Sequence, residues 1–331
     1  MIKNEHGSIT DVPGIKVGHA ENIKAATGCT VILCEKGAVG GVDQRGGAPG
    51  TRETDVLNPV NLVDVVHAVL LTGGSAFGLD AVSGVMRYLE EKKVGFNVGV
   101  ARVPIVPAAV LFDLAVGDAN IRPDESMGFQ ACKNASGQPV NQGNVGAGTG
   151  ATVGKLYGMK SAMKAGVGSA SIRLSNGVVV GAIMAVNAFG DVIDPETNDI
   201  LAGTRAITQK ISNKDAPMFA NTLESMCKPA GKLILRIASK SNTVIGVVAT
   251  NAKLNKAQAT RVAMMAQDGL ARVIRPAHTM MDGDTIFALS TGNKRFDIST
   301  IGAYAAEVVA DAILNAIRNA RTDYGIPACN H

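Results

Sequence analysis

The sequence lacks the features that nucleic-acid-binding surfaces usually carry. It has no tryptophan, aromatic residues make up only 4% of its 331 residues, and lysine and arginine form no block. The formal net charge of +4 is spread over the chain. Single strands are bound on aromatic platforms and duplexes by clustered basic residues. We therefore expect no nucleic-acid partner.

Cysteine is also scarce and irregularly spaced. The sequence has five cysteines, an odd number, and no C-x-x-C pair. A disulfide framework uses cysteines in pairs, and structural zinc sites are usually built from closely spaced pairs of ligands. We therefore expect neither a disulfide framework nor a metal site, and we expect a reducing compartment.

No stretch has the character of a targeting or membrane-spanning segment. The first six residues, MIKNEH, lack an apolar core, and no uninterrupted apolar run approaches the roughly 20 residues that a bilayer requires. Hydrophobic residues make up 46% and charged residues 18%, which is ordinary for a globular chain. We expect a cytoplasmic protein without a membrane partner.

Glycine, in contrast, is abundant, with 38 residues that gather at the ends of segments. In the region 143–154, Gly146-x-Gly148-x-x-Ala151 matches a loose dinucleotide-binding pattern. The residues before it are polar where that motif requires a strand, and no acidic residue between Ser126 and Phe189 could bind a ribose. The pattern therefore does not predict a nucleotide cofactor.

Several segments have a periodicity that predicts secondary structure. Residues 167–174 and 178–186 are apolar runs joined by Ser-Asn-Gly, which predicts a β-hairpin. Apolar residues recur at helical spacing in 58–69, 255–274 and 301–320, so we predict helices there. Residues 210–220 are polar and are typical of a connection.

The segment from Ser241 to Asn251 carries the most specific chemistry. A Ser-Asn-Thr step precedes an apolar run rich in β-branched residues, which predicts a buried strand beginning at Thr243. If the bond between Asn242 and Thr243 were broken, Thr243 would carry both a hydroxyl and a free α-amino group. The reference pKa of an α-amino group, roughly 7.7–8.0, lets it accept the hydroxyl proton near neutrality. The plainer interpretation is that Thr243 only begins a strand.

Two aspartates come directly before another apolar strand. If the strand already begins there, Asp282 and Asp284 face the same side, since they are two residues apart. Such a pair can bind a metal, share a proton or hold an ammonium group. No further ligand cluster is near, so metal binding ranks last, and the ammonium of Thr243 is the best match. His278 is a candidate base, although a structural histidine is the commoner case.

Three other polar residues follow glycine-rich or apolar segments. Lys155 is either a solvated charge or a source of positive potential in a site. Asn187 ends an apolar run, either as a turn former or as a buried amide donor that faces a cleft. Ser75 follows Gly73-Gly74, but it lacks the G-x-S-x-G spacing of a nucleophile elbow, so we predict a helix N-cap.

Four motifs, taken in chain order, resemble one family. They are Asp43-x-Arg45-Gly46-Gly47 with Pro49-Gly50-Thr51-Arg52, then Leu71-Thr72-Gly73-Gly74-Ser75-Ala76-Phe77-Gly78, Gly143-Asn144-Val145-Gly146-Ala147-Gly148-Thr149-Gly150 and Met281-Asp282-Gly283-Asp284-Thr285. Together they resemble the self-processing N-terminal-nucleophile hydrolases that include β-aminopeptidases, the L-aminopeptidase/D-esterase and nylon-oligomer hydrolases. The resemblance spans almost the whole chain and favours Thr243 as a nucleophile.

The resemblance implies an α/β protein with a four-layer α/β/β/α sandwich, formed by residues 1–331 as a single domain. It also implies an inactive precursor that cuts itself between Asn242 and Thr243. The large chain, 1–242, and the small chain, 243–331, then stay together. Relatives form tetramers of the processed pair, so we expect a homo-oligomer.

The resemblance further implies a role for individual residues. These are Thr243 as nucleophile, Asn242 as the residue before the cut, Asp282 and Asp284 as the acidic pair that orients the threonine, Lys155 as the lysine near it, and Asn187 as the amide that helps bind the oxyanion. Phe112 stands where relatives often carry a tyrosine, so substrate preference is expected to differ. Phe112 and Ser75 are candidates for the substrate pocket.

The implied function is an amide hydrolase or aminopeptidase that forms an acyl-enzyme on Thr243. Small amino-terminal amides, β-peptides and linear amide oligomers all fit as substrates, and no cofactor is implied. Two alternatives stay open. One is an acyltransferase of the ornithine-acetyltransferase type, in which an amine takes the acyl group. The other is a binding protein that is never cut.

Overall fold

The computed structural model of the chain describes residues 2–3, 7–206, 218–229 and 242–329. The connection expected over residues 210–220 lies outside these ranges except for its last three residues. The described residues form seventeen strands and five α-helices, with long strands near both ends and in the middle of the chain. These strands and helices form the layers that enclose the hydrophobic core.

The strands, in chain order, are β1 (Ile2–Lys3), β2 (Lys16–Asn22), β3 (Thr27–Gln44), β4 (Thr51–Arg52), β5 (Val65–Thr72), β6 (Phe96–Asn97), β7 (Arg102–Val103), β8 (Ala108–Val110), β9 (Thr152–Val153), β10 (Met163–Lys164), β11 (Val167–Arg173), β12 (Val179–Asn187), β13 (Asp191–Ile193), β14 (Ile200–Ala202), β15 (Thr243–Ala252), β16 (Ile274–Arg275) and β17 (Thr285–Lys294). The α-helices are α1 (Ala81–Glu91), α2 (Glu125–Lys133), α3 (Thr222–Cys227), α4 (Lys256–Val273) and α5 (Ile298–Arg318).

Ten of these strands form one continuous sheet within the described part of the chain. Its order is β1-β11-β12-β15-β17-β3-β5-β8-β4, and β2 pairs with β3. Strand β3 belongs to both halves of this sheet. Its residues 39–44 pair with β17 in one half, whereas its residues 27–33 pair with β2 in the other. Its register with β5 shifts between Leu33 and Ala38, and such an irregularity bends a strand. The long strand thus passes from one sheet layer into the other.

Three apolar clusters separate the layers. One joins α4 and α5 to β12 and β15, a second lies between the two halves of the sheet, and a third joins α1 and α2 to β2, β3 and β5. Alternate residues of β15 face different clusters, with Val244 and Val248 under the helices and Ile245 and Val247 in the middle. The layers are therefore helix, sheet, sheet and helix, and the expected four-layer α/β/β/α sandwich is confirmed.

The predicted secondary structure is confirmed at most positions. The hairpin is β11 and β12, joined at Ser175–Gly177, and the two long amphipathic helices are α4 and α5. The helix predicted over residues 58–69 is wrong, because β5 begins at Val65 and the side chains of Val60 and Leu62 are 86% and 83% exposed. Strand β5 is buried on both faces, so its apolar residues do not alternate and matched a helical spacing by chance.

Helix α5 is long and apolar enough to span a membrane by length and composition, with a mean hydropathy of 1.3 in its most apolar window. In the structure 67% of that window is buried. The helix packs on α4 and on strands β11 and β12. Packing inside the fold therefore accounts for its apolar character.

Candidate active site

Thr243 is the first residue of the central strand β15 and is only 5% exposed. Its hydroxyl Oγ1 donates to the carbonyl oxygen of Asn242, the residue before it. Strand β12 runs antiparallel on one side of β15 and pairs Asn187 with Thr243. Strand β17 runs parallel on the other side and pairs Thr285 with Ile245. The start of β15 therefore lies between the end of β12 and the turn that leads into β17.

That turn, residues 278–284, holds both predicted aspartates. The carboxylate of Asp284 accepts from the backbone N–H of Val244 at 2.8 Å and from Nδ1 of His278 at 2.9 Å. The carboxylate of Asp282 accepts from the backbone N–H of Thr279 at 3.0 Å. Because β17 begins only at Thr285, the condition under which the two aspartates would face the same side of a strand is not met. The turn, and not strand alternation, places them.

The two carboxylates affect one another electrostatically. Burial and the nearby charge of Asp284 raise the pKa of Asp282 to about 6. The charge of Asp284 disfavours ionisation of Asp282, and a cation next to the pair would offset this repulsion. A new ammonium group on the residue at the start of β15 would supply that cation.

The glycine-rich loop between β3 and β4, residues 45–50, holds this acidic turn through backbone hydrogen bonds. The backbone N–H of Arg45 donates to the carbonyl of Asp284 at 3.0 Å, and that of Ala48 donates to the carbonyl of Asp282 at 2.8 Å. A Cβ on Gly46 would lie 2.3 Å from the Asp282 carbonyl oxygen, which no side chain tolerates. The Asp43-x-Arg45-Gly46-Gly47 motif is therefore a support for the acidic turn.

Asn187 and Lys155 lie on the β12 side of Thr243, opposite the acidic turn. Lys155 Nζ donates to Asn187 Oδ1 at 2.8 Å and to the Asn187 carbonyl at 3.0 Å. Asn187 Nδ2 donates to the carbonyl of Phe112 at 2.9 Å, and the N–H of Thr152 donates to Asn187 Oδ1 at 3.1 Å. Asn187 is a fully buried amide and not a turn former.

Lys155 is buried and not a solvated charge, being only 6% exposed. Burial lowers the pKa of Lys155 to about 7, although the negative charges of Asp282 and Asp113 act in the opposite direction. The side chain therefore titrates near neutrality. Its ammonium form polarises the Asn187 amide through Oδ1 and strengthens Nδ2 as a donor.

The two residues proposed for the substrate pocket take different positions. Phe112 presents its backbone carbonyl to Asn187, and its side chain is partly exposed. Ser75 begins a 3-10 turn with a left-handed φ of 53°, and Gly74 is the N-cap of that turn, so the N-cap prediction for Ser75 is wrong. Its N–H donates to the carbonyl of Leu111 at 2.9 Å. Ser75 is thus linked to the chain just before Phe112.

Asp113 joins these two segments and was not singled out for a role from sequence. Its carboxylate accepts from the N–H of Gly74 and from Oγ1 of Thr27, both at 2.7 Å. Burial raises the pKa of this carboxyl group. The only available signal was its position in the segment that follows β8. Its contacts place the backbone of residue 112 against Asn187.

The structure brings together all the residues predicted for the chemistry, namely Thr243, Asn242, Asp282, Asp284, Asn187 and Lys155. Sequence reasoning missed Gly283, whose N–H donates to the Asn242 carbonyl at 3.0 Å. A glycine between two acidic residues was the signal for it. Within the described ranges no three histidine, cysteine or acidic side chains are grouped as metal ligands.

Comparisons with known proteins identify the family of the chain. The model of Peptidase family S58 matches residues 7–328. An uncharacterized aminopeptidase of Mycobacterium leprae (strain TN) is 46% identical over 97% of this chain and 92% of its own length. A 6-aminohexanoate-oligomer endohydrolase of Kocuria sp. (strain KY2) is 29% identical over 93% of this chain and 85% of its own length.

Among solved structures, the L-aminopeptidase D-Ala-esterase/amidase of Ochrobactrum anthropi, described as a new variant of the Ntn hydrolase fold, has a TM-score of 0.72. It is 20% identical, and the alignment covers 100% of this chain and 93% of that one. The family match and the relatives together support a hydrolase of amide bonds. The chain belongs to peptidase family S58, and the family resemblance expected from its motifs is confirmed.

Proposed function

We propose that this protein is a self-processing amide hydrolase whose nucleophile is Thr243. The observation that carries the proposal is the contact between the Thr243 hydroxyl and the carbonyl of Asn242 at the buried start of β15. The nucleophile lies against the bond to be cut, and the acidic turn and Asn187 flank it. This arrangement is the one that N-terminal-nucleophile chemistry needs.

Processing comes first. The Thr243 hydroxyl attacks the carbonyl carbon of Asn242, the resulting ester is hydrolysed by water, and Thr243 acquires a free α-amino group. That amine is the general base of the mature enzyme, because its pKa lies near neutrality. The carboxylates of Asp282 and Asp284 orient the amine and hold the ammonium that forms once it has taken the hydroxyl proton.

Substrate hydrolysis follows on the same hydroxyl. Thr243 attacks the substrate amide, the Asn187 amide stabilises the tetrahedral oxyanion, and water releases the acyl group. Lys155 acts through Asn187, whose Oδ1 it contacts at 2.8 Å. In this mechanism Phe112 and Ser75 border the substrate pocket, and the partly exposed phenyl ring of Phe112 supplies an apolar wall.

The substrate class is inferred from the relatives. Their printed names include an aminopeptidase and a 6-aminohexanoate-oligomer endohydrolase. We infer small amino-terminal amides, β-peptides or linear amide oligomers as substrates, with water as the acyl acceptor. Transfer of the acyl group to ornithine would instead identify an acyltransferase. A cytoplasmic location and a tetramer of processed chains remain predictions.

The decisive experiment is the intact mass of freshly purified protein under denaturing conditions, with and without Thr243→Ala. We expect two wild-type species, one ending at Asn242 and one beginning at Thr243, and a single uncut species in the variant. The uncut variant should have no amidase activity. A wild type that stays uncut would contradict the proposal and favour the binding-protein alternative.

A further inference from the structure

The carbonyl oxygen of Asn242 has a backbone donor from the acidic turn. The N–H of Gly283 donates to it at 3.0 Å, and Asn242 pairs with Asp282 as an isolated parallel bridge. This is the same carbonyl that the Thr243 hydroxyl contacts. If that hydroxyl attacks, negative charge develops on the oxygen to which Gly283 already donates.

The position of Gly283 leaves no room for a side chain. A Cβ there would lie 2.8 Å from Thr243 Oγ1 and 2.7 Å from the carbonyl oxygen of Ala48. The absence of a Cβ therefore lets a backbone N–H and the hydroxyl nucleophile reach one peptide group together.

The Gly283 N–H is held in place from both sides. Ala48 donates to the carbonyl of Asp282 at 2.8 Å, and Arg45 donates to the carbonyl of Asp284 at 3.0 Å. Donors that are fixed before the reaction stabilise a developing oxyanion without reorganisation, which is the usual source of large effects on rate.

We propose that the backbone N–H of Gly283 is the oxyanion donor of self-cleavage. The inference rests on the proposed function and deepens it. Asn187 approaches Thr243 from strand β12, whereas Gly283 approaches from the turn before β17, on the opposite side of β15. The two donors therefore divide the work, Gly283 in processing and Asn187 in hydrolysis of substrate.

Self-cleavage passes through an ester of Thr243. A bond forms between Thr243 Oγ1 and the carbonyl carbon of Asn242, and the carbonyl electron pair moves to the oxygen held by Gly283. Collapse of this intermediate breaks the bond to the Thr243 nitrogen, which takes up the hydroxyl proton. Water then hydrolyses the ester, leaving a carboxylate on Asn242 and an ammonium and a free hydroxyl on Thr243.

The test is to remove this N–H without changing any side chain. Replacing Gly283 by glycolic acid, through an α-hydroxy-acid tRNA in cell-free translation, changes the amide to an ester and keeps the shape. Cutting is followed by denaturing intact mass from the time of synthesis. Loss of one oxyanion donor typically costs about 10² to 10³ in rate, so we expect cutting to slow by that factor.

Lactic acid at position 48 is the matched control. It deletes an N–H that holds the same turn, the donor from Ala48 to the Asp282 carbonyl at 2.8 Å, without touching the reacting oxygen. Asn187→Ala provides the contrast. We expect its cutting to slow less than tenfold, while its turnover of alanine and β-alanine p-nitroanilides falls by more than the cutting rate does.

Each outcome decides one question. Slowing that is at least tenfold greater with the ester at 283 than with the ester at 48 supports the inference. Equal rates for the two esters, or an Asn187→Ala chain that folds but stays uncut, would overturn it. A wild-type chain that is not cut in the same translation reaction would contradict the proposed function itself.

Discussion

At the scale of single residues, Asn242 is a buried amide at the proposed cut. It is only 2% exposed, and within the described ranges neither Oδ1 nor Nδ2 has a hydrogen-bond partner. A buried amide without partners typically destabilises a fold by about 1–3 kcal/mol. The residue that precedes the proposed cut therefore lies in a position that does not suit its side chain.

We predict that Asn242→Leu stabilises the uncut chain by about 1–3 kcal/mol, because leucine has a similar shape and no polar atoms to desolvate. The measurement is the free energy of unfolding in urea, made in a Thr243→Ala background that prevents cutting. Asn251→Leu is the matched control. Its amide accepts from Val179 N–H at 2.8 Å and donates to the Gly177 carbonyl, so that leucine should destabilise. Destabilisation by Asn242→Leu would show that the amide has partners.

A second residue-scale prediction concerns Lys155 and pH. An unfolded lysine keeps its proton up to about pH 10.5, whereas folded Lys155 releases it above about 7. At this residue the unfolded state therefore binds more protons between these values, so Lys155 contributes a rise in the free energy of unfolding with pH of up to about 1.4 kcal/mol per pH unit.

Lys155→Met, again with Thr243→Ala, should remove the part of this rise that begins near pH 7. The part that begins near pH 8 should persist, since burial lowers the pKa of Lys164 to about 8. The exposed Lys24→Met is the control and should leave the whole profile intact. A Lys155→Met profile with the slope unchanged would show that Lys155 is solvated.

At the scale of elements, the acidic turn depends on a second segment for its shape. Residues 278–284 are held by backbone donors from the loop that follows β3, and Gly46 lies where its missing Cβ would meet the Asp282 carbonyl oxygen at 2.3 Å and the Asp284 nitrogen at 2.4 Å. Both neighbours are backbone atoms, so neither can move without shifting the turn. The geometry around Thr243 therefore depends on two distant parts of the chain.

We predict that Gly46→Ala displaces the turn, destabilises the fold by more than about 2 kcal/mol and slows self-cleavage by at least tenfold. Gly137→Ala is the control, since a Cβ there would contact nothing within 4 Å. Urea unfolding and a time course of cutting measure the two effects. Equal behaviour of the two variants would mean that the loop and the turn can separate at little cost.

At the scale of the whole molecule, the proposed cut falls at the start of the central strand of the sheet. Strand β15 pairs with β12 over eight residues, and β17 pairs with β3 over six. Helices α4 and α5 cover the same sheet and share its apolar cluster. The small chain would therefore be embedded in the core of the large one.

We predict that the two chains stay together after cutting at every concentration at which the fold persists. Light scattering after gel filtration should give a mass that is a multiple of the summed chains, while denaturing mass spectrometry gives the two chains separately. Elution of residues 243–331 as a separate folded species would contradict this. The ratio of this mass to the summed mass of one pair of chains tests the expected tetramer.

The sequence by itself determined much of this protein, because some signals are local. The apolar run after Thr243 and the hairpin turn at residues 175–177 depend on neighbours in sequence, so strands β11, β12 and β15 could be predicted. The motifs identified the family and, through it, the residues expected at the site. The helix predicted over residues 58–69 was wrong, because its apolar residues belong partly to an exposed segment around Val60 and partly to β5, a strand buried on both faces that has no period of its own.

Only the tertiary structure decided how these residues meet. Lys155 could not be recognised as buried from its polar type, and its contact with Asn187 spans 32 positions of sequence. The role of Gly283 depends on a distance between two strand ends, and Gly46 matters only because another turn packs on its backbone. Local sequence sets periodicity and chemistry, whereas burial, pKa and the positions of donors arise from packing between segments far apart in the chain.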